Sequence, residues 1–506
     1  MSAPRSDAAQ APERFARYRP IVDDWDAFLG ALARPLPVTL RAHPHRGGVA
    51  TATDWLAREG FTVAPLPWDA DALYLADGAR PGASIARLGG LAVVQEAAAM
   101  LAVPLLDARP GMRVLDLCAA PGNKTVQLAW AVAGNDPHDE RGLVVANDRS
   151  VARLGVLRGA IRRLGLANVA VVQHDACGLP AALGTFDRVL ADVPCSCEGT
   201  SRRNPTILRR PHDGGRRVHE QRAMLRAAIE RCRPGGRVVY ATCTYAPEEN
   251  ELVVARVLDE IGSAVTLRDA HALLPAGLVA GRGLTAWAGT RLPETLAGCV
   301  RLMPHHSDTG GFFLAVLDKA VDAPAMRARE TDAVDPARLP DDEATALLDA
   351  IGARYGFDAS TLGRYTLRHA RGRILELVPR SMDLAWTAHA RVRAVAAGLP
   401  FAHAKMTEPR LTSGAARRYA SNARRRALDL DWRETLRFFT PHEQHLARVP
   451  ATIDADDRHP VLVRHDGIGL GPGAIRPRAG GGVRLQSLLP KSVFHDRAAF
   501  VAAAQV

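Results

Sequence analysis

The 506-residue chain carries 65 lysines and arginines against 54 aspartates and glutamates, a formal net charge of +11; this is length for roughly three domains and a basic balance that favours an anionic partner such as nucleic acid. Its seven cysteines all fall between Cys118 and Cys299, an odd, internal set that excludes a disulfide scaffold and fits a reducing compartment. Met1 to Pro20 has no apolar h-region and no apolar run approaches the roughly 20 residues of a membrane span, so a soluble, cytoplasmic protein is expected.

Residues 1–92 are expected to form a small mixed domain that positions substrate. The apolar spacing from Ile21 to Leu32 predicts an amphipathic helix, and Pro35 to Arg41 reads as a short strand whose prolines forbid a helix. A second helix is predicted over Ala50–Glu59, with Phe61-Thr62-Val63 after it. No catalytic constellation stands in this region.

From 93 to 321 strand and helix patterns alternate, which predicts an α/β fold with a doubly wound, mostly parallel sheet. Strand Arg113–Leu117 runs into Cys118-Ala119-Ala120-Pro121-Gly122-Asn123-Lys124-Thr125, and Val126 to Val132 reads as helix. Small residues in such a turn let a ligand approach the backbone, with a helix N-terminus ready for an anionic group. The next strand, Gly142–Asn147, ends at Asp148, an acid placed to accept the hydroxyls of a ribose. A helix over Val151–Leu164 closes at Gly165, and strand Asn168–Gln173 delivers His174-Asp175, whose carboxylate suits the amine of an adenine. Taken singly, each acid is equally a helix cap or turn former. Three of them at successive strand ends, Asp148, Asp175 and Asp192, outline a nucleoside-bearing cofactor.

Two apolar strands, Phe186–Asp192 and Val239–Thr242, each end beside a cysteine, Cys195 and Cys243. Strand ends are where chemistry sits in an open α/β sheet. A thiolate that adds to carbon 6 of a pyrimidine turns the ring into an enamine able to attack an electrophilic methyl group, and a neighbouring group then removes the carbon 5 proton. The alternative is that both cysteines are small buried hydrophobes.

The stretches Asp116 to Thr125, Asp192-Val193-Pro194-Cys195-Ser196, Arg202-Arg203-Asn204-Pro205 and Thr242-Cys243-Thr244 with Glu249-Asn250-Glu251 closely resemble the NOL/NOP/Sun family of RNA cytosine-5 methyltransferases, over about residues 30–320. The resemblance implies a Rossmann-like class I methyltransferase core, S-adenosylmethionine as cofactor and RNA, ribosomal or transfer, as substrate. It implies that Cys243 is the nucleophile and that Cys195 helps release the product. It also implies that Asp192 lies between cofactor and cytosine, that Asp148 holds the ribose and Asp175 the adenine, and that Cys118, Ala119, Ala120, Pro121, Gly122, Asn123 and Lys124 wrap the methionine end, with Arg153 among the cofactor contacts. By analogy with DNA cytosine-5 enzymes Cys195 would attack instead; the acidic run after Cys243 favours the RNA-type roles. A factor that binds RNA without turnover is the reading from another class.

Lys124 is one of four lysines beside 61 arginines, and a compact ammonium at this loop would lower a nearby thiol pKa or contact the base, which makes it a catalytic candidate. After Cys195 the family usually continues Ser-Gly, whereas here Ser196-Cys197-Glu198-Gly199 follows. A Cys-x-Cys pair is half a metal site, but no second pair stands at ligand spacing, so no metal is expected. His43 stands where relatives often have asparagine.

The loop bearing Arg202, Arg203, Arg209, Arg210, Arg216 and Arg217 is expected to hold phosphates around a flipped base, before a helix near Val218. Gly310 to Leu317 is read as the closing strand of the core and 322–342 as a linker. Beyond it, 343–506 is read as a basic α+β RNA-binding region. Segment 361–426 has 13 arginines and Lys405 against three acids, a surplus equal to that of the whole chain. Val461 to Gly471, with an Asp466-Gly467 turn, reads as a hairpin, and about 435–500 resembles a PUA-like module. A monomer is expected.

Overall fold

The computed structural model of the chain describes residues 11–504, apart from residues 77, 135–140, 210–216, 325–334, 371, 404–408, 448, 452, 455–456 and 480. An antiparallel sheet forms first, from β1 (Val38–Ala42), β2 (Val63–Leu66), β3 (Asp69–Leu75) and β4 (Ala92–Val94) in the order β2-β3-β1-β4. The helix expected over Ile21–Leu32 is divided. A 3-10 turn ends at Ile21, and the α-helix starts at Trp25 because the Asp24 carboxylate caps it, accepting from the Ala27 amide at 2.9 Å. Helix Gly48–Arg58 stands where Ala50–Glu59 was expected.

The central sheet takes β5 (Arg113–Asp116), β6 (Leu143–Asn147), β7 (Val169–Val172), β8 (Phe186–Asp192) and β9 (Cys232–Thr242), all parallel, in the order β9-β8-β5-β6-β7. Antiparallel strands complete one side: β10 (Val265–Arg268), β11 (Gly281–Arg282) and, past a short hairpin of β12 (Ala286–Trp287) and β13 (Thr290–Arg291), β14 (Val300–Leu302) and β15 (Phe312–Lys319). The chain runs outward from β5 through β6 and β7, then returns to lay β8 on the other flank of β5. A crevice therefore opens at the carboxyl ends of β5 and β8. Alternate residues face opposite sides, as the pleat requires: Val114, Val144, Val171 and Leu190 pack under helices Asn123–Val132 and Val151–Leu164, while Leu115, Val145, Val172 and Val189 pack under helices Val218–Arg231 and Glu251–Ile261. This is the α/β core expected from the alternating pattern.

Two features depart from a chain of separate domains. After β16 (Tyr365–His369) and β17 (Ile374–Pro379), strand β18 (Ala394–Ala397) leaves the C-terminal region and pairs antiparallel with β7, so the central sheet is not confined to 93–321. Following β19 (Leu399–His403), a five-stranded sheet of β20 (Ala427–Asp429), β21 (Gln444–Leu446), β22 (Val461–His465), β23 (Ile468–Pro477) and β24 (Val483–Ser487) shares one apolar core with the N-terminal sheet. Trp55, 1% exposed, lies in that core edge-on to Trp432, with ring centroids 5.7 Å apart. The β22–β23 turn is built from Asp466 and Gly467, both at positive φ, as its sequence predicts.

The expected linker is shorter than 322–342, because Asp341 and Asp342 belong to the first turn of helix Asp341–Tyr355; its residues 325–334 lie outside those described. Lys405 and Glu408 of the basic segment also lie outside them. Of the segment's arginines, Arg368 is buried between Asp335 and Glu376, Arg426 binds Asp457, and Arg417 donates to the carbonyls of Arg163 and Leu470. Those three are internal staples, so the surplus is not one uniform RNA-facing surface. Among the described residues no helix is long and apolar enough to cross a membrane.

Trp55→Ala is expected to lower stability by about 3–5 kcal/mol and to raise amide exchange in β22 and β23 as well as in β1 and β3. Urea denaturation and hydrogen exchange check this. Unchanged exchange in β22 and β23 would mean the core is not shared energetically.

Candidate active site

The turn after β5 is shaped by a few small residues. Ala119 accompanies the loop at 5% exposure, its amide donating to the Asn147 carbonyl at 2.7 Å, and Gly122 has φ of 116°. A Cβ at Gly122 would lie 2.6 Å from Leu157 Cδ1, so both conformation and space require glycine. Helix Asn123–Val132 starts directly afterwards, and Thr125 Oγ1 donates to the buried Asp116 carboxylate at 2.6 Å. Burial, against the pull of that bond and with the nearby Asp192 charge, pushes Asp116 up to about 7.

A cavity of about 460 Å³ lies over this turn, a volume suited to a small-molecule ligand. Cys118, Ala119, Ala120, Pro121, Gly122, Asn123, Lys124, Arg153, Asp192, Cys195 and Cys243 all line it, so the fold gathers eleven of the thirteen predicted site residues. Asp148 and Asp175 are not in the lining. Asp148, at the end of β6, is held by the Ala120 amide at 3.3 Å, the Ser150 amide at 2.9 Å and Arg153 at 3.3 Å. Asp175 caps a short 3-10 turn by accepting from the Cys177 amide, the structural role its residue type equally allowed.

The two thiols come from adjacent parallel strands. Pairing of β8 with β9 sets Asp192 opposite Ala241, so the chain just beyond each strand brings Cys195 Sγ to 3.4 Å from Cys243 Sγ, and the Cys243 amide donates to Cys195 Sγ at 3.3 Å. The Cys195 thiol is pushed well above its ordinary value by its bonds to Cys197 and Cys243 and by burial. At Cys243 the bond to Cys195 pulls the pKa down, but the Cys197 contact, burial and the Asp192 charge outweigh it and the thiol is raised. Both sulfurs therefore rest protonated at neutral pH. Lys124 Nζ lies 2.7 Å from Asp192 Oδ2 and 5.1 Å from the centre of the Phe312 ring; burial disfavours its charge, but Asp192 more than compensates and its pKa is raised.

The contacts by which several residues hold these groups were not read from the sequence, even where the residues themselves were part of a motif. Glu249 accepts from the Ser196 amide at 3.0 Å and from Gln221 at 2.7 Å, and Gln221 also donates to the Pro194 carbonyl, so the loop bearing Cys195 is tied at both sides of the cysteine. Asn250 bonds the Thr244 carbonyl and Thr242, framing Cys243. The buried Arg301 clasps Glu251 with two nitrogens. The Glu-Asn-Glu run was the available signal, but it marks scaffold rather than chemistry. Glu198 is gripped by Tyr18 and Arg14 from the N-terminal helices, partners that no local pattern reveals.

The basic loop is split as well. Arg202 is buried, bonded to the carbonyls of Arg34, Pro35 and Thr309 and to Asp308, so it joins elements instead of facing a ligand. Arg203 and Arg217 line the cavity and Arg209 is exposed, whereas Arg210 and Arg216 lie outside the described residues. His43 is buried against Trp130, ring centroids 4.8 Å apart, away from the cavity lining. No second Cys-x-Cys or His pair was found at ligand spacing in the sequence, but the fold brings Cys243 to the Cys195–Cys197 pair, and the three thiols lie within 4.8 Å of one another.

Residues 103–318 match the family model described as 16S rRNA methyltransferase RsmB/F. Ribosomal RNA small subunit methyltransferase F of Escherichia coli O81 is 34% identical over 311 residues, and that of Shigella boydii serotype 18 is 34% identical over 313. Each alignment covers 60% of this chain, which spans 61% of these relatives' length. The solved structure of a methyltransferase homologue from Pyrococcus horikoshii superposes with a TM-score of 0.51 at 29% identity, covering 63% of this chain and 100% of that one.

Raised thiol pKa values have a direct sign. At any pH below them the reactive thiolate is a minor fraction that grows about tenfold per pH unit. Iodoacetamide alkylation of Cys195 and Cys243, followed by peptide mass spectrometry, is expected to accelerate continuously beyond pH 9. A plateau below pH 8 would show that the thiolates already form near neutrality.

Proposed function

The chain belongs to the NOL/NOP/Sun family of RNA methyltransferases, and from that premise we propose that it methylates carbon 5 of a cytosine in ribosomal RNA, with S-adenosylmethionine as donor. The observation that carries the proposal is the pair of sulfurs 3.4 Å apart, opening on the same cavity as the small-residue turn after β5. A methylase acting on an exocyclic amine needs no nucleophile; two thiols at adjacent strand ends suit a ring carbon that must first be made nucleophilic.

The residues present fit the donor. The Ala119, Ala120 and Gly122 backbone leaves room for a close approach at the head of helix Asn123–Val132, and a side chain at Gly122 has no space. The adenosine end would extend toward Asp148 and Asp175 at the ends of β6 and β7, with Arg153, half exposed, moving off Asp148 to free its carboxylate for the ribose. When bound, this cofactor supplies a methyl group activated by a sulfonium.

Cys243 Sγ gives up its proton and bonds to carbon 6, which makes carbon 5 electron-rich enough to take the methyl group. Cys195 Sγ, once it has lost its own proton to solvent, takes the carbon 5 proton, and the ring is restored as the bond to Cys243 Sγ breaks and its electron pair returns to that sulfur. Lys124 fixes one oxygen of Asp192, leaving the other to accept the cytosine amine. Arg203 and Arg217 lie at the mouth, where phosphates flanking a flipped base would pass. In the C-terminal region Arg364, Arg373, Arg391, Arg393, Arg410 and Arg425 are exposed and form the candidate RNA-facing set, together with a PUA-like role for the β20–β24 sheet. The ribosomal substrate follows the relatives' names.

Cys243→Ser is expected to cut turnover by roughly a thousand-fold or more, because a hydroxyl is a far weaker nucleophile. Cys195→Ala should leave addition intact but slow release, so that a covalent protein–RNA adduct accumulates on denaturing gels. Equal, adduct-free loss in both variants would overturn the assignment. Bisulfite sequencing of ribosomal RNA from cells lacking the protein should find one 5-methylcytosine missing; complete retention of every site would favour a binder without turnover.

A further inference from the structure

Cys197 has no part in the chemistry just described. It holds φ of 62° at the head of the 3-10 turn Glu198–Thr200, a left-handed conformation that glycine adopts without strain. Its Sγ nevertheless lies 3.9 Å from Cys195 Sγ and donates to the Cys195 carbonyl at 3.3 Å, while Cys243 Sγ lies 3.4 Å from Cys195 Sγ and all three sulfurs fall within 4.8 Å of one another. Three sulfurs around one tetrahedral Zn²⁺, each with a bond of about 2.3 Å, stand about 3.8 Å apart. The separations of Cys195 from its two neighbours bracket that value. A fourth, open position faces the cavity, since all three cysteines line it. Lys124, Arg203 and Arg217 line the same cavity and offset the negative charge that three thiolates leave around a dication.

We propose that Cys195, Cys197 and Cys243 form a three-thiolate site for Zn²⁺, and that the bound ion withholds Cys243 from RNA until it is withdrawn. Three Zn–S bonds form as three thiol protons pass to solvent, and no electron changes hands. Cys197 converts a pair of thiols, too few ligands for a firm site, into a complete face of a tetrahedron. The inhibitory half of the proposal rests on Cys243 being the nucleophile; the binding half does not.

The test uses the full chain, reduced with a phosphine and handled without oxygen, so that disulfides do not compete. Cd²⁺ serves as the spectroscopic probe through its thiolate charge-transfer band, and Zn²⁺ affinity is read by competition with a chromophoric chelator. The wild type is expected to take up one Cd²⁺ with a three-thiolate band. Cys197→Gly, which suits the local backbone, should lose most of that band and weaken Zn²⁺ binding by roughly 100-fold or more, beyond what loss of an outer-shell partner costs; Cys177→Ala, at an exposed cysteine elsewhere, should retain both. Methyl transfer, measured for each protein with and without Zn²⁺, should be suppressed by the ion and restored by chelator only where Cys197 is present. No charge-transfer band in the wild type, or equal affinity in Cys197→Gly, would overturn the site. Binding that depends on Cys197 in a protein that methylates no RNA would leave the site standing and refute the catalytic reading instead.

Discussion

Register between β8 and β9 is the constraint on which the site depends. With Asp192 opposite Ala241, the cysteine just past each strand arrives at the same height above the sheet. A slip of one residue would turn every side chain of β9 to the opposite face, burying Val238 and Tyr240 among the wrong helices and sending Cys243 away from Cys195. Apolar packing on both faces therefore enforces the approach of the two thiols. The hydrogen bonds of Glu249, Gln221 and Asn250 then fix the loops beyond the strands, where ladder pairing no longer operates.

Charge inside this site is handled by pairing. Lys124, from the first turn of helix Asn123–Val132, and Asp192, from the end of β8, lie 2.7 Å apart, and each answers the desolvation of the other. Arg301 and Glu251, 4% and 0% exposed, do the same one layer deeper. A lone ion at either place would cost several kcal/mol. At the thiols the bonds among the cysteines, burial and, at Cys243, the Asp192 charge leave the pKa values of Cys195 and Cys243 raised.

Much of this was legible in the sequence, and the reasons differ by element. An apolar run that stops at an acid identified β8, Phe186–Asp192, and the Gly165 stop identified the end of the helix Val151–Leu164. Motif order fixed the cavity residues. Long-range partnership was not legible: Arg202, Arg368 and Arg417 look like exposed cations until their carbonyl and carboxylate partners, distant in sequence, are known. Cys195 and Cys243 were read as neighbours at one sheet edge and Cys197 as half of a Cys-x-Cys pair, but the meeting of all three thiols needed the fold of the loop after β8. Asp148 and Asp175 illustrate the converse, because residue type and strand position were read correctly while the present partners of each carboxylate were not visible.

The core shared by the two ends of the chain bears on biosynthesis. Strands β1 to β4 emerge from the ribosome early, yet the apolar faces of Trp55, Leu40 and Leu73 are covered in part by Leu428, Phe438, Val461 and Leu485, which are synthesised hundreds of residues later. Contacts this distant close slowly and leave sticky surface open in the meantime. The nascent N-terminal segment accordingly keeps this face open until the C-terminal strands are made, and a chain that stops within the central sheet leaves it uncovered.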